Sequence, residues 1–368
     1  MKGDILGERF IFSGFGESHG KLIGCVIEGC PAGLRISEEY IQEELDLRRP
    51  GTSIVTTMRS ESDKVEIMSG VFNGYATGAP ICLIIKNKDT DSRPYEKLLK
   101  TPRPGHADYV AQIKYGGFND YRGGGRFSGR ITASFVAAGS IAKKLLGETL
   151  GVEILAYTKI INGFESRDVS IDQIRDSRYS NEVRCPDERV AKSMKEAIVK
   201  ARGDGDSLGG VVECYSLNIP VGIGEPVFSS LDSDLSRALY AIPAVKGVEF
   251  GSGFSSSKKR GSENNDAYTT TNGKIITSTN NSGGIVGGIS NGMPIIMRVA
   301  FKPTSSIAIS QKTVRIDSLK EENIIVPGRH DPCVVPRAVP VIENVVALVL
   351  ADHALRAGFI PNVLRESK

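Results

Sequence analysis

Apolar runs in this chain follow one another directly, with little sequence between them for a helical crossover. Residues 10–13 lead to 22–27, and 65–68 lead to 81–86. Parallel strands need a crossover of roughly a dozen residues or more, whereas antiparallel strands can share a short turn. Further strand-like runs cover 152–161, 211–219 and 295–300. Neither regular βαβ alternation nor an all-β pattern fits, because helical patterns interrupt the strands. The prediction is therefore an α+β fold with antiparallel sheets.

Five helices are expected. The first follows Ser37 as N-cap, carries Glu38 and Glu39 in its first turn and runs to about residue 48. The others cover about 128–150, 187–201, 232–241 and 340–357. No domain boundary, internal repeat or low-complexity tract appears. The 368 residues are 40% hydrophobic and 24% charged, the balance of a soluble globular chain with a large core. Net charge is only +3, so positive charge matters locally if at all.

The start of the chain lacks the apolar region of a signal peptide, and no run of about 18 uncharged apolar residues suggests a membrane span. None of the six cysteines forms a C-x-x-C pair, and no Cys/His group has zinc spacing. Free thiols in a reducing compartment, the cytoplasm, are the expectation.

The 41 glycines concentrate in short motifs between apolar runs. Gly14, Gly16 and Gly20 are spaced like a dinucleotide-binding loop, but that fingerprint needs a following helix to hold pyrophosphate. The next residues read as a strand. A tight hairpin displaying Glu17, Ser18 and His19 fits better, with His19 either a simple turn residue or a proton donor. Arg48 and Arg49 end the first helix, where cations are mildly stabilising in any protein. Pro102, Arg103, Pro104, Gly105, His106 and Asp108 form a rigid loop of a kind that often carries function. Around Arg122, three glycines precede Arg126, Phe127, Ser128 and Arg130. An RGG-type nucleic-acid segment predicts repeats, and none are present. Glycines before a helix, with two arginines, suit an anion instead.

Residues 280–292 form a glycine-rich strand and turn, containing Gly287, against which a flat ligand can lie. Lys302, Thr304, Ser305 and Ser306 combine a cation with three hydroxyls. Arg329, His330 and Asp331 stand together, followed by Arg337. Three of the four histidines thus fall in Gly/Pro/Arg-rich motifs, whereas His353 lies in an apolar helical pattern and reads as structural. Many arginines suit a small polyanion, and paired histidines suit proton transfer around a leaving group.

Taken in order, the motifs GESHG (16–20), RPG (49–51), RPGHAD (103–108), DYRGGGR (120–126), GDSLGG (205–210), KGVEFG (246–251), KPTSS (302–306) and GRHDPC (328–333) resemble the chorismate synthase family over residues 5–355. The resemblance implies a β-α-β sandwich, with central helices between antiparallel sheets, as one domain over 1–368. It implies a cytoplasmic homotetramer, with no nucleic-acid or membrane partner. It implies 1,4-anti elimination of phosphate from 5-enolpyruvylshikimate 3-phosphate with reduced FMN, and in some members NADPH-dependent flavin reduction. By the same resemblance His19, His106 and Asp331 are catalytic, and Arg48, Arg49, Arg130 and Arg329 bind substrate. Arg126, Phe127, Ser128, Pro243, Ala244, Gly287, Lys302, Pro303, Thr304, Ser305, Ser306 and Arg329 contact FMN. The chain departs from the family pattern at Ile54, Phe127, Gly129 and Pro243.

Overall fold

Alternate residues of the strand Ile81–Lys86 are buried: Ile81, Leu83 and Ile85 enter the core while Cys82, Ile84 and Lys86 do not. One covered face is the mark of a sheet packed on helices. The structure, a computed structural model, describes residues 3–49, 62–88, 92–326 and 330–365.

In chain order, β1 (Ile5–Leu6), β2 (Ile11–Gly16), β3 (Leu22–Glu28), β4 (Val65–Ser69), the hairpin β5 (Val71–Phe72) and β6 (Tyr75–Ala76), and β7 (Ile81–Lys86) make up the N-terminal third. Five of them form a sheet in the order β1-β2-β3-β7-β4, antiparallel throughout. The later strands are β8 (Glu153–Ile161), β9 (Phe164–Glu165), β10 (Gly210–Leu217) and β11 (Val245–Phe250). Two hairpins follow, β12 (Tyr268–Thr271) with β13 (Lys274–Thr277) and β14 (Ile285–Val286) with β15 (Ile289–Ser290). Then come β16 (Ile295–Phe301) and the hairpin β17 (Gln311–Arg315) with β18 (Lys320–Ile324). The second sheet has the order β11-β16-β10-β8-β9 and is also antiparallel.

The helices are α1 (Glu38–Arg48), α2 (Asp108–Lys114), α3 (Thr132–Leu150), α4 (Ile171–Ser177), α5 (Glu188–Gly203), α6 (Leu231–Tyr240), α7 (Gly261–Asn264) and α8 (Val335–Arg356). α3 lies against β2, β3 and β7, α8 lies against β8 and β10, and α3 and α8 pack on each other. The result is the expected α+β sandwich, with helices between two antiparallel sheets. Close approach of the two central helices depends on Gly139. A Cβ there would stand 2.4 Å from the Asn344 carbonyl oxygen.

Ser37 caps α1 as expected, accepting the Tyr40 N–H at 3.3 Å. α8 begins at Val335 rather than at 340, a correction to the sequence reading. Pro336 occupies the first turn, where a missing N–H costs nothing, and Pro340 is carried inside the helix. With two prolines in series, the later one looked like the start signal. The seven-residue helices α2 and α4 were too short to show a period.

α8 is long and apolar enough to cross a membrane by length and composition, but its apolar window is wholly buried in the fold. It also carries Glu343, fully buried and met by Lys143 Nζ and Arg178 Nε at 3.0 Å each and by the Ala156 N–H at 2.9 Å. The charge is therefore paired and hydrogen-bonded inside the core, which is how a buried carboxylate survives. All six cysteines are free, and five are buried.

Candidate active site

The β2–β3 turn displays Glu17, Ser18 and His19, and β3 begins at Leu22. A strand stands where a dinucleotide loop needs a helix, which removes that reading. His19 is buried, its Nδ1 lies 2.9 Å from Ser92 Oγ, and its ring meets Tyr95 edge to face at 5.2 Å.

Opposite it runs the triple-glycine segment. Gly123, Gly124 and Gly125 have φ of 59°, 81° and 52°, positive values that favour glycine. A Cβ on Gly123 would stand 2.1 Å from His19 Cδ2, and one on Gly124 would stand 3.5 Å from His106 Cε1. Both imidazoles therefore flank one short backbone segment. Ser128 then caps a short turn, accepting the Arg130 N–H at 3.2 Å, before α3 begins at Thr132.

Between this segment, the 103–107 loop, the 240–246 stretch, the 302–306 loop and the start of α8 lies a cavity of about 610 Å³. That volume suits a sizeable small-molecule ligand. Arg48, Arg103, Arg126, Arg130, Lys246, Lys302 and Arg337 line it, and Asp331 is the one carboxylate among the described lining residues. His106 and His330 line it too, as do Phe127, Ser128, Pro243, Ala244, Pro303, Thr304, Ser305 and Ser306. His19 is one layer out, touching Tyr95 and Gly123, which do line it.

The cations are fixed by partners. Arg48 Nη1 meets Asp63 at 2.6 Å, and its Nε donates to Thr132 Oγ1 at 3.1 Å. Arg130 bonds the other oxygen of the same Asp63 and donates from Nε to Asn87 at 3.1 Å. Burial pushes the Asp63 carboxyl up, but Arg48 and Arg130 outweigh it and hold the group below the usual carboxylate range. Arg126 pairs with Asp4 and donates to the Gly16 carbonyl at 2.9 Å. Asp331 pairs with Arg337.

Lys302 Nζ donates to the Gly105 carbonyl at 2.6 Å and to Ser305 Oγ at 2.9 Å, tying the 302–306 loop to the histidine loop. Burial, helped by nearby Lys246, lowers the Lys302 ammonium. A bound anion relieves such crowding of cations.

Two sequence expectations, Arg49 and Gly287, do not line the cavity. Arg49 pairs with Asp46 at 3.5 Å. Gly287 sits in the β14–β15 turn and does not line the cavity. Arg329, with Pro50, Gly51 and Ile54, lies outside the described residues. His353 bonds Asp234 at 2.9 Å, a structural role as expected.

Asp63 and Tyr95 were missed, since neither sits in a motif. Lys246 and Arg337 stood inside or beside motifs already noted. No group of three or more His, Cys, Asp or Glu among the described residues is placed to hold a metal.

The family model for chorismate synthase matches residues 10–355. The chorismate synthase of Korarchaeum cryptofilum (strain OPF8) is 54% identical over 357 residues, covering 97% of this chain and 99% of the relative. That of Pyrococcus abyssi (strain GE5 / Orsay) is 51% identical over 355 residues, covering 96% and 97%. A crystal structure of chorismate synthase matches with a TM-score of 0.74 at 32% identity, over 95% of this chain and 93% of that one. Similarity of this extent, over a cationic cavity built from the motifs themselves, makes the chain an enzyme of the lyase class that belongs to the chorismate synthase family.

Proposed function

We propose that this cavity converts 5-enolpyruvylshikimate 3-phosphate to chorismate by 1,4-anti elimination of phosphate, with reduced FMN bound beside the substrate. The observation that carries the reading is a cavity of about 610 Å³ lined, among the described residues, by seven cations and one carboxylate, with Asp63, Asp4 and Asp108 behind the lining holding four of those cations in place. A substrate with two carboxylates and a phosphate needs such neutralisation.

The residues present also fit a flavin. Ile242, Pro243, Ala244, Val245 and Val341 offer an apolar wall for a flat ring, while Lys302, Thr304, Ser305 and Ser306 offer donors for its phosphate. When bound, reduced FMN supplies electron density that eases loss of the hydrogen from C6 of the substrate.

On this reading the chain does the rest. Arg48 and Arg130 bind the substrate anions. His19 holds the proton that the departing phosphate takes as the C3–O bond breaks. Asp331, oriented by Arg337, serves the loss of the C6 proton. His106 governs the proton at the flavin side. Arg126, Phe127 and Ser128 support the cofactor. Arg49, Arg329 and Gly287 keep their family-based roles as proposals, although the cavity lining supports neither Arg49 nor Gly287. We further propose a single domain acting as a cytoplasmic homotetramer, and flavin reduced from outside rather than with NADPH, on the basis of Ile54.

Anaerobic incubation with reduced FMN and the phosphorylated enolpyruvyl substrate is expected to release phosphate and chorismate. His19→Ala and His106→Ala are each expected to slow that release by about 10²–10⁴-fold. A folded wild-type protein that releases neither product rejects the reading.

A further inference from the structure

We infer that Asp108 is a positioning residue, holding His106 in the tautomer that carries its proton on Nδ1. The inference builds on the role proposed above for His106. Four N–H groups converge on the two Asp108 oxygens. Oδ1 faces His106 Nδ1 at 2.6 Å and Arg103 Nη2 at 2.8 Å. Oδ2 takes Arg103 Nε at 2.8 Å and the Arg103 backbone N–H at 3.1 Å. An ionised carboxylate accepts at both oxygens and donates at neither, so Nδ1 must bring the proton.

Arg103 Nη2 also lies 3.0 Å from Nδ1 and 3.2 Å from Nε2. A guanidinium only donates, so with Nδ1 protonated it can approach only Nε2 as an acceptor. Nε2 then carries the lone pair of the ring, and His106 can take up a proton there only in exchange for the bond from Arg103.

Arg103 is itself anchored. Its Nη1 donates to Ser306 Oγ at 2.9 Å, and its guanidinium lies 5.9 Å from the centre of the Tyr95 ring. Burial alone would raise the Asp108 carboxyl, but bonds from Arg103 and His106 hold it well below the usual range, so it stays ionised at neutral pH. Among the described residues, charged groups at His106 and its loop include Asp108 and Arg103 on that loop, and Lys302 from the facing loop, bonded to the Gly105 carbonyl.

Asp108→Asn keeps the shape but places an NH₂ against one of these donor pairs. Turned toward His106, it makes Nδ1 an acceptor and sends the proton to Nε2.

Two readouts test the inference. The first is ¹⁵N-histidine NMR of the flavin-free protein, with His106 identified by the signal lost in His106→Gln. Wild type is expected to show His106 as the Nδ1–H form, and Asp108→Asn as the Nε2–H form. The second is phosphate release with reduced FMN, for which Asp108→Asn is expected to lower kcat by about 10²–10⁴-fold with KM little changed. A wild-type His106 in the Nε2–H form overturns the inference and needs no variant to fold. So does Asp108→Asn with wild-type kcat. Wild type that shows the expected spectrum but releases no phosphate overturns the proposed reaction instead, and leaves the hold of Asp108 on His106 standing.

Discussion

Asp63→Ala is expected to lose about 3–5 kcal/mol of folding stability and to bind the anionic substrate poorly. Asp63 is buried, and one carboxylate serves both Arg48 and Arg130. Removing it leaves two cations in the wall without the counter-charge they share, and frees them to shift. The sign of the pH dependence follows from the lowered folded pKa. A carboxylate depressed in the folded state contributes its stability fully above the unfolded value of about 3.9. That contribution fades as pH falls from there through the folded value. Urea unfolding of wild type and variant should therefore differ fully at neutral pH and converge in acid. A difference that stays constant into strong acid contradicts this account of Asp63.

The second large effect concerns a backbone hydrogen. Gly123→Ala is expected to lower kcat by about 10²-fold or more, approaching the loss of His19 itself. The new methyl would stand 2.1 Å from His19 Cδ2, so the ring must leave its place against Ser92 and Tyr95. The left-handed backbone adds only about 1–2 kcal/mol of strain. Gly151→Ala supplies the comparison. It has φ of 65° at the end of α3 and nothing within 4 Å of a new Cβ. It should carry a similar backbone cost and keep its activity. Thermal unfolding and phosphate release, measured on both variants, separate strain from displacement. A Gly123→Ala enzyme with full activity shows that His19 does not need this position.

The order of the motifs along the chain carried the family resemblance and with it the sandwich, whereas single elements could be read only locally. Strands showed through alternation, as in Ile81–Lys86, and α1 through its Ser37 cap and first-turn acids. The motif histidines and the arginines before α3 were legible because glycine and proline around them had no other evident use. What was hidden depended on distant partners. Asp63 is one acid before a strand, and its meaning comes from Arg48 and from Arg130, 67 residues away. Tyr95 ends a short helical turn and shows no pattern.

The spacing of α1 distinguishes Arg48 from Arg49. Ile41, Leu45 and Arg48 fall on one buried face of α1 at helical spacing, whereas Arg49 follows the helix as its C-cap with a partly exposed side chain. The start of α8 was misplaced because two prolines compete for the same signal.

On the proposed reading, loops far apart in sequence build a single chamber that holds flavin and substrate at the same time. A crystal structure with FMN and 5-enolpyruvylshikimate 3-phosphate tests it most directly. The ring is expected beside His106 and the 302–306 loop, with the substrate anions on Arg48 and Arg130. Either ligand settled elsewhere on the protein, with that chamber left to solvent, contradicts it.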